Sequence, residues 1–225
     1  MLREALRDLA SGRPILLYDL DGREEETDMV IAGRNATPGI VATLRREAGG
    51  LICIAVPEGI ARRLGLPYMH EMLTRSDSET LRGMSIGSPY GGYPAFSVTI
   101  NHRDTYTGIT DRDRSRTLTE FADLIAQMSG TTNGNWARVF QERFRSPGHV
   151  HILMGSGLSN RQGHTELALR LAELAELPPA MVVCEMLDFE SHMALGKEEA
   201  AAYARAHGMA LIEARDIVNQ SGVCS

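Results

Sequence analysis

Leu51-Ile52-Cys53-Ile54-Ala55-Val56 is an unbroken apolar run of strand length, preceded by Gly49-Gly50 and followed by Pro57. Without polar alternation, such a run belongs to a strand buried on both faces, inside a sheet covered by helices. Ala180 to Cys184 has the same character near the other end of the chain. Between and around these runs, helix-like and strand-like segments alternate. Leu2, Ala5, Leu6 and Leu9 recur at helical spacing before Gly12, and strands are expected at Pro14 to Tyr18 and Asp28 to Ala32. Thr37-Pro38 opens a helix with Ile40, Val41 and Leu44 on its apolar side, and a short helix follows over Glu58 to Leu64. From Pro67 to Pro94 periodicity fades into Gly, Ser and Met, a surface excursion for which a lid and a subunit contact both stay open. Further on, strands are expected at Phe96 to Asn101, Val150 to Met154 and Ala210 to Ile212. Helices are expected at Leu118 to Met128, Trp136 to Phe144, Thr165 to Glu176, Lys197 to His207 and Glu213 to Asn219. The class is α/β.

At 225 residues, with 43% hydrophobic and 23% charged side chains, the chain has the composition of a soluble globular protein. A formal charge of -6 argues against nucleic acid or an anionic membrane as partner. No apolar run approaches the length of a membrane span. Cys53, Cys184 and Cys224 are widely spaced and fit neither a disulfide framework nor a paired zinc motif, which points to a reducing cytoplasm. Met1 begins a charged amphipathic segment rather than a signal peptide. With no repeat and no linker, the expected organisation is one domain over residues 1–225, with 219–225 as a frayed tail.

Chemistry concentrates in four places. Tyr18-Asp19-Leu20-Asp21-Gly22-Arg23-Glu24-Glu25-Glu26-Thr27-Asp28 packs six carboxylates between two apolar runs. Like charges this close disfavour one another's ionisation, and a hard divalent cation with oxygen ligands is their natural partner. A solvated acidic loop is the bland alternative. Asp19-Leu20-Asp21-Gly22 also resembles the haloacid dehalogenase phosphatases, but Arg23 is unusual after that glycine and Asp188 stands alone where an acidic pair is needed. The second place is Arg145-Ser146-Pro147-Gly148-His149-Val150, a histidine at a turn leading into a strand. The third, Asn160-Arg161-Gln162-Gly163-His164-Thr165-Glu166, opens a helix, where free amides, Arg161 and Thr165 form an anion cradle beside His164. There Thr165 as a plain helix cap is the simpler alternative. The fourth, Val182-Val183-Cys184-Glu185, ends an apolar strand on a carboxylate; a zinc-deaminase reading fails because Cys184 has no second thiol in a Cys-x-x-Cys pair.

Together with Gly50-Leu51-Ile52-Cys53 and Thr107-Gly108-Ile109-Thr110, these motifs in this order resemble the 3,4-dihydroxy-2-butanone 4-phosphate synthase family of riboflavin biosynthesis. The resemblance runs from about Arg3 to Val218 and is similar to the single-domain archaeal members. It implies a three-layer α-β-α domain on a mixed sheet, converting ribulose 5-phosphate to dihydroxybutanone phosphate and formate. It also implies Mg2+ or Mn2+ and a homodimer with sites at the subunit interface. Carried over by position, Glu24 and His164 are metal ligands. Arg161, Gly163 and Thr165 hold phosphate with Thr107 nearby, and Arg23 and Asp28 hold sugar oxygens. His149 and Glu185 match the proton-transfer pair, Glu26 is a further acid/base candidate, and Cys53 matches a site-lining cysteine or simply packs. Asp21, Gly22 and Glu25 depart from the family's acidic loop, and 152–157 is shortened. Members fused to a GTP cyclohydrolase half run well beyond Ser225, so the synthase activity alone is expected. A magnesium phosphatase and a non-catalytic sugar-phosphate-binding protein are the alternatives.

Overall fold

In a computed structural model the described residues are 1–219, apart from 90 and 132. The expected tail therefore lies, beyond Asn219, outside the described residues, as does Cys224. In chain order the elements are α1 (Leu2–Ala10), β1 (Ile15–Tyr18), β2 (Thr27–Ala32), α2 (Pro38–Thr43), β3 (Cys53–Pro57), α3 (Glu58–Arg63), α4 (Met69–Thr74) and α5 (Glu79–Met84). They continue with β4 (Phe96–His102), α6 (Asp111–Ser129), α7 (Trp136–Arg143), β5 (Phe144–Gly155), α8 (His164–Leu174), β6 (Met181–Glu185), α9 (Lys197–His207), β7 (Leu211–Glu213) and α10 (Ala214–Val218).

The described strands form one seven-stranded mixed sheet in the order β4-β5-β3-β6-β2-β1-β7. β3 runs parallel to β5 and β1 to β7, while the other pairs are antiparallel. The apolar run that reads as doubly buried is central: Cys53, Ile54, Ala55 and Val56 are at most 1% exposed. Ile54 and Val56 belong to the core that packs α2, α6, α7 and α9, whereas Cys53 and Ala55 belong to the core that packs α1, α8 and α10. Two-sided coverage is what removes the alternation from this segment.

Local chemistry sets the element ends. Thr37 caps α2 by accepting from Ile40 N-H at 3.3 Å, with Pro38 in the first helical position. The chain then continues through one wide turn, Leu44–Ala48, and stops at Gly49 with φ +90°.

Three expectations need correction. α6 begins seven residues before Leu118, at Asp111, capped by Thr110. Its first two turns are charged, yet Arg114, Ser115 and Thr117 are buried, and Thr117 Oγ1 accepts from His102 N-H at 3.0 Å, so no apolar stripe announces them. The 67–94 excursion contains two helices, α4 and α5, but neither has a buried residue, so it does lie on the surface. β5 starts at Phe144 rather than Val150, and its register against β4 shifts between Val150↔Ile100 and Arg145↔Asn101. His149 therefore sits in a bulge within a long strand, not in a turn before a short one.

Candidate active site

The acidic stretch divides by direction. Asp21 and Glu25 are exposed, and Glu25, held at φ +56°, accepts from Gly22 N-H at 2.8 Å on the outside of the turn. Asp19 (2% exposed), Glu24, Glu26 and Asp28 (2% exposed) turn inward. Arg23 Nη1 donates to Asp19 Oδ2 at 2.7 Å and to Glu24 Oε2 at 2.6 Å, and Glu24 N-H donates to the same Asp19 oxygen at 3.3 Å. An exposed Asp21 beside a buried, arginine-bound Asp19 does not provide the adjacent nucleophile and acid of the phosphatase alternative.

α8 brings His164 against this group. Its Nδ1 is 3.6 Å from Glu24 Oε2, its Nε2 3.7 Å from Asp28 Oδ1 and 3.3 Å from the Glu26 carbonyl oxygen. Burial pulls the imidazole pKa down, but Asp28, Glu24 and Asp19 outweigh it and hold the ring up at about 9. Burial pushes Asp28 up to about 7 despite the His164 charge, and burial with Glu24 raises Glu26. One donor atom each from Asp19, Glu24 and His164 lies within 4.8 Å of the others, so the three could share a metal ion. Among the described residues the buried Asp19 Oδ1 and Asp28 Oδ1 have no hydrogen-bond partner, a deficit that a cation would relieve. Two carboxylates and one imidazole suit Mn2+ and, with water completing the shell, Mg2+.

A cleft of about 220 Å³ opens here, lined by Glu24, Glu26, Asp28, Phe96, Leu153, Arg161, His164, Thr165, Val183 and Glu185 among others. Most sequence-derived candidates thus converge on one place. Gly163 joins them: a Cβ there would lie 2.7 Å from Arg161 Nη1 and 2.9 Å from Arg23 Nη2, so two guanidinium groups meet over the start of α8. Thr165 is not the helix cap, since Gly163 occupies that position and its N-H goes to Glu166. Glu185 ends β6 opposite Asp28 of β2, and Leu51 N-H donates to its Oε2 at 2.7 Å. Gly50 must lack a side chain for this, because a Cβ would come within 2.6 Å of the Glu185 carbonyl oxygen and 2.7 Å of its Cβ.

Three candidates stand apart from the cleft lining. Cys53 is buried beneath the sheet surface between Val183 and His151, with its thiol pushed well up by burial, so it packs as a neutral side chain. His149 and Thr107 are exposed and share a different patch. There Asn101 accepts from His149 N-H at 2.9 Å and lies 3.1 Å from its Nδ1, and Gly108 is so close to the Asn101 side chain that a Cβ would collide with it. The sequence does not single out two residues. Asp19 reads there as one of six carboxylates suited to a divalent cation and as part of the phosphatase alternative, with no local signal that distinguishes an inward from an outward aspartate in that turn. His151, beside Cys53 and edge-on to Phe96 at 5.7 Å, has a buried Nδ1 without a partner; its position two residues after His149 was the only available hint.

Residues 3–220 match the family model for 3,4-dihydroxy-2-butanone 4-phosphate synthase. The chain belongs to that family. It is 40% identical to the synthase of Methanosarcina mazei, covering 96% of this chain and 89% of the relative. It is 38% identical to that of Archaeoglobus fulgidus, covering 96% and 91%. A solved structure of a 3,4-dihydroxy-2-butanone 4-phosphate synthase in complex with two magnesium ions superposes with a TM-score of 0.76 at 25% identity, covering 98% of this chain and 95% of that one. Within a synthase, the Gly50 contact gives a direct test of how Glu185 is held. If Glu185 carries protons in the reaction, Gly50→Ala is expected to lower kcat at least tenfold, the scale of a displaced acid/base group, with the thermal midpoint shifted by only a few degrees; steady-state kinetics and melting curves check it. Undiminished kcat would mean that the Glu185 carboxylate can move freely.

Proposed function

We propose that the protein is a carbon-carbon lyase that converts D-ribulose 5-phosphate to 3,4-dihydroxy-2-butanone 4-phosphate and formate, in riboflavin biosynthesis. The observation that carries this reading is the convergence of Glu24, Glu26, Asp28, Arg161, His164, Thr165 and Glu185 on one cleft, in a chain of this family. Asp19, Glu24 and His164 would hold Mg2+ or Mn2+. When bound, the ion supplies Lewis acidity to neighbouring substrate oxygens. Arg161 over Gly163, with the first amides of α8 and Thr165, binds the phosphate and fixes the far end of the sugar. Arg23 and Asp28 hold sugar oxygens. Enolisation, loss of water, the skeletal shift and formate release each move a proton. Glu26, raised by burial, and Glu185, anchored on Leu51 N-H, are placed to carry protons at the reacting carbons. The five carbons leave as four plus one, and the water lost at dehydration returns when formate departs, so no oxidant is needed.

His149 and Thr107 would complete the site from a second copy of the chain. Both are exposed in this protomer, and Tyr106 (94% exposed) and Ile109 (50% exposed) beside them present apolar surface suited to a homodimer. The enzyme would work as a single catalytic domain in the cytoplasm; no described helix is long and apolar enough to cross a membrane.

Purified protein with Mg2+ is expected to release formate from ribulose 5-phosphate, and to stop on addition of excess chelator or in His164→Ala. Free phosphate without formate would return the phosphatase, and binding without turnover a non-catalytic protein. If the site is shared, His149→Ala and His164→Ala are each inactive, whereas co-refolding them in equal amounts restores about a quarter of wild-type activity through statistical pairing. No recovery would place both histidines in a site built from one protomer.

A further inference from the structure

Glu166 is the third residue of α8, 2% exposed, and its carboxylate faces three donors from one short segment. Oε1 accepts from Ser156 N-H at 3.2 Å, where the chain leaves β5. Oε2 accepts from Gly163 N-H at 3.3 Å, where the chain enters α8, and from Arg161 Nη1 at 3.0 Å. The segment between is closed on itself by Asn160 Nδ2 to the Ser156 carbonyl at 2.8 Å and by Arg161 N-H to the Gly157 carbonyl at 3.1 Å. One buried side chain thus ties both ends of the 156–163 connection to the guanidinium that lines the cleft.

We propose that Glu166 is a positioning residue that fixes Arg161, and the connection carrying it, in the pose that receives the substrate phosphate; this rests on the phosphate role given to Arg161 above. Its charge alone argues the other way, since a carboxylate near a phosphate dianion repels it. A net benefit arises only if holding Arg161 in place outweighs that repulsion. Preorganisation of this kind spares the rotamer entropy of a long side chain at the moment of binding. A role confined to capping α8 would instead affect folding and leave phosphate affinity alone.

The opposed signs make the test decisive. Glu166→Gln keeps an oxygen acceptor for a backbone N-H but presents no anion to Arg161. Inorganic phosphate binding by calorimetry, and KM for ribulose 5-phosphate by formate release, are measured on wild type and variant with Mg2+ present. The expected result is about tenfold weaker phosphate binding and a parallel rise in KM, the scale of a lost charge-assisted hydrogen bond, with a much smaller change in kcat. Glu166→Asp, which retains the anion with a shorter reach, should fall between, and Glu166→Gln should add little in an Arg161→Ala background. Unchanged or tighter phosphate binding in Glu166→Gln, or full additivity with Arg161→Ala, overturns the proposal. Should Glu166→Gln fail to fold, Glu166→Asp carries the test by the same two measurements. Absence of formate from wild type would sink the lyase reading and leave the phosphate-binding comparison intact.

Discussion

The inward carboxylates Asp19, Glu24, Glu26 and Asp28 set the terms for the rest of the molecule, the last three lining the cleft that Glu185 also lines. Carboxylates gathered at such close quarters need positive charge beside them, and burial raises Glu26 and Asp28 even so. Arg23 comes from the same turn and His164 from α8, more than a hundred residues later in the chain. The compensation therefore depends on tertiary structure: β2 must sit beside β6, and α8 must lie across that face of the sheet. Asp19 Oδ1 and Asp28 Oδ1, buried without a hydrogen-bond partner among the described residues, would be stabilised by a further cation.

The start of α8 brings two kinds of group together. Gly163 admits two guanidinium groups, His164 reaches the carboxylates, and Glu166 anchors the preceding connection. With the proposed roles, metal and phosphate binding would fall at adjacent positions on one rigid element, which would limit how far the two ends of a bound sugar phosphate could drift. Just before β3, Gly50 and Leu51 hold Glu185 in place.

Much of this was readable in sequence because burial leaves a plain pattern. The runs at Leu51–Val56 and Ala180–Cys184 are apolar on both faces and became β3 and β6, within two residues of the expected limits. The site motifs were readable for a different reason: their order resembles a known family, and the chain belongs to it. What escaped depended on direction and distance. The first turns of α6 bury arginine, serine and threonine through hydrogen bonds, which hydropathy does not register. Ser146-Pro147-Gly148 reads as a turn, yet the strand continues through it because Gly148 can pack directly on the Ile100 backbone. Asp19 and Asp21 look equivalent in sequence, and only the turn separates the buried one from the exposed one.

His164, held protonated by its carboxylate neighbours, would have to give up that proton to bind a divalent cation in the proposed site. Its pKa is raised to about 9, so below that pH a bound ion must displace the proton, and apparent affinity should climb as pH rises toward 9. Asp28, at about 7, is largely ionised by pH 8 and contributes little there. Calorimetric titration of Mn2+ at pH 8 in two buffers of different ionisation enthalpy measures the proton count. About one proton is expected to be released per ion, lost with most of the affinity in His164→Gln. Tight binding without proton release, or binding unchanged in the variant, would contradict it.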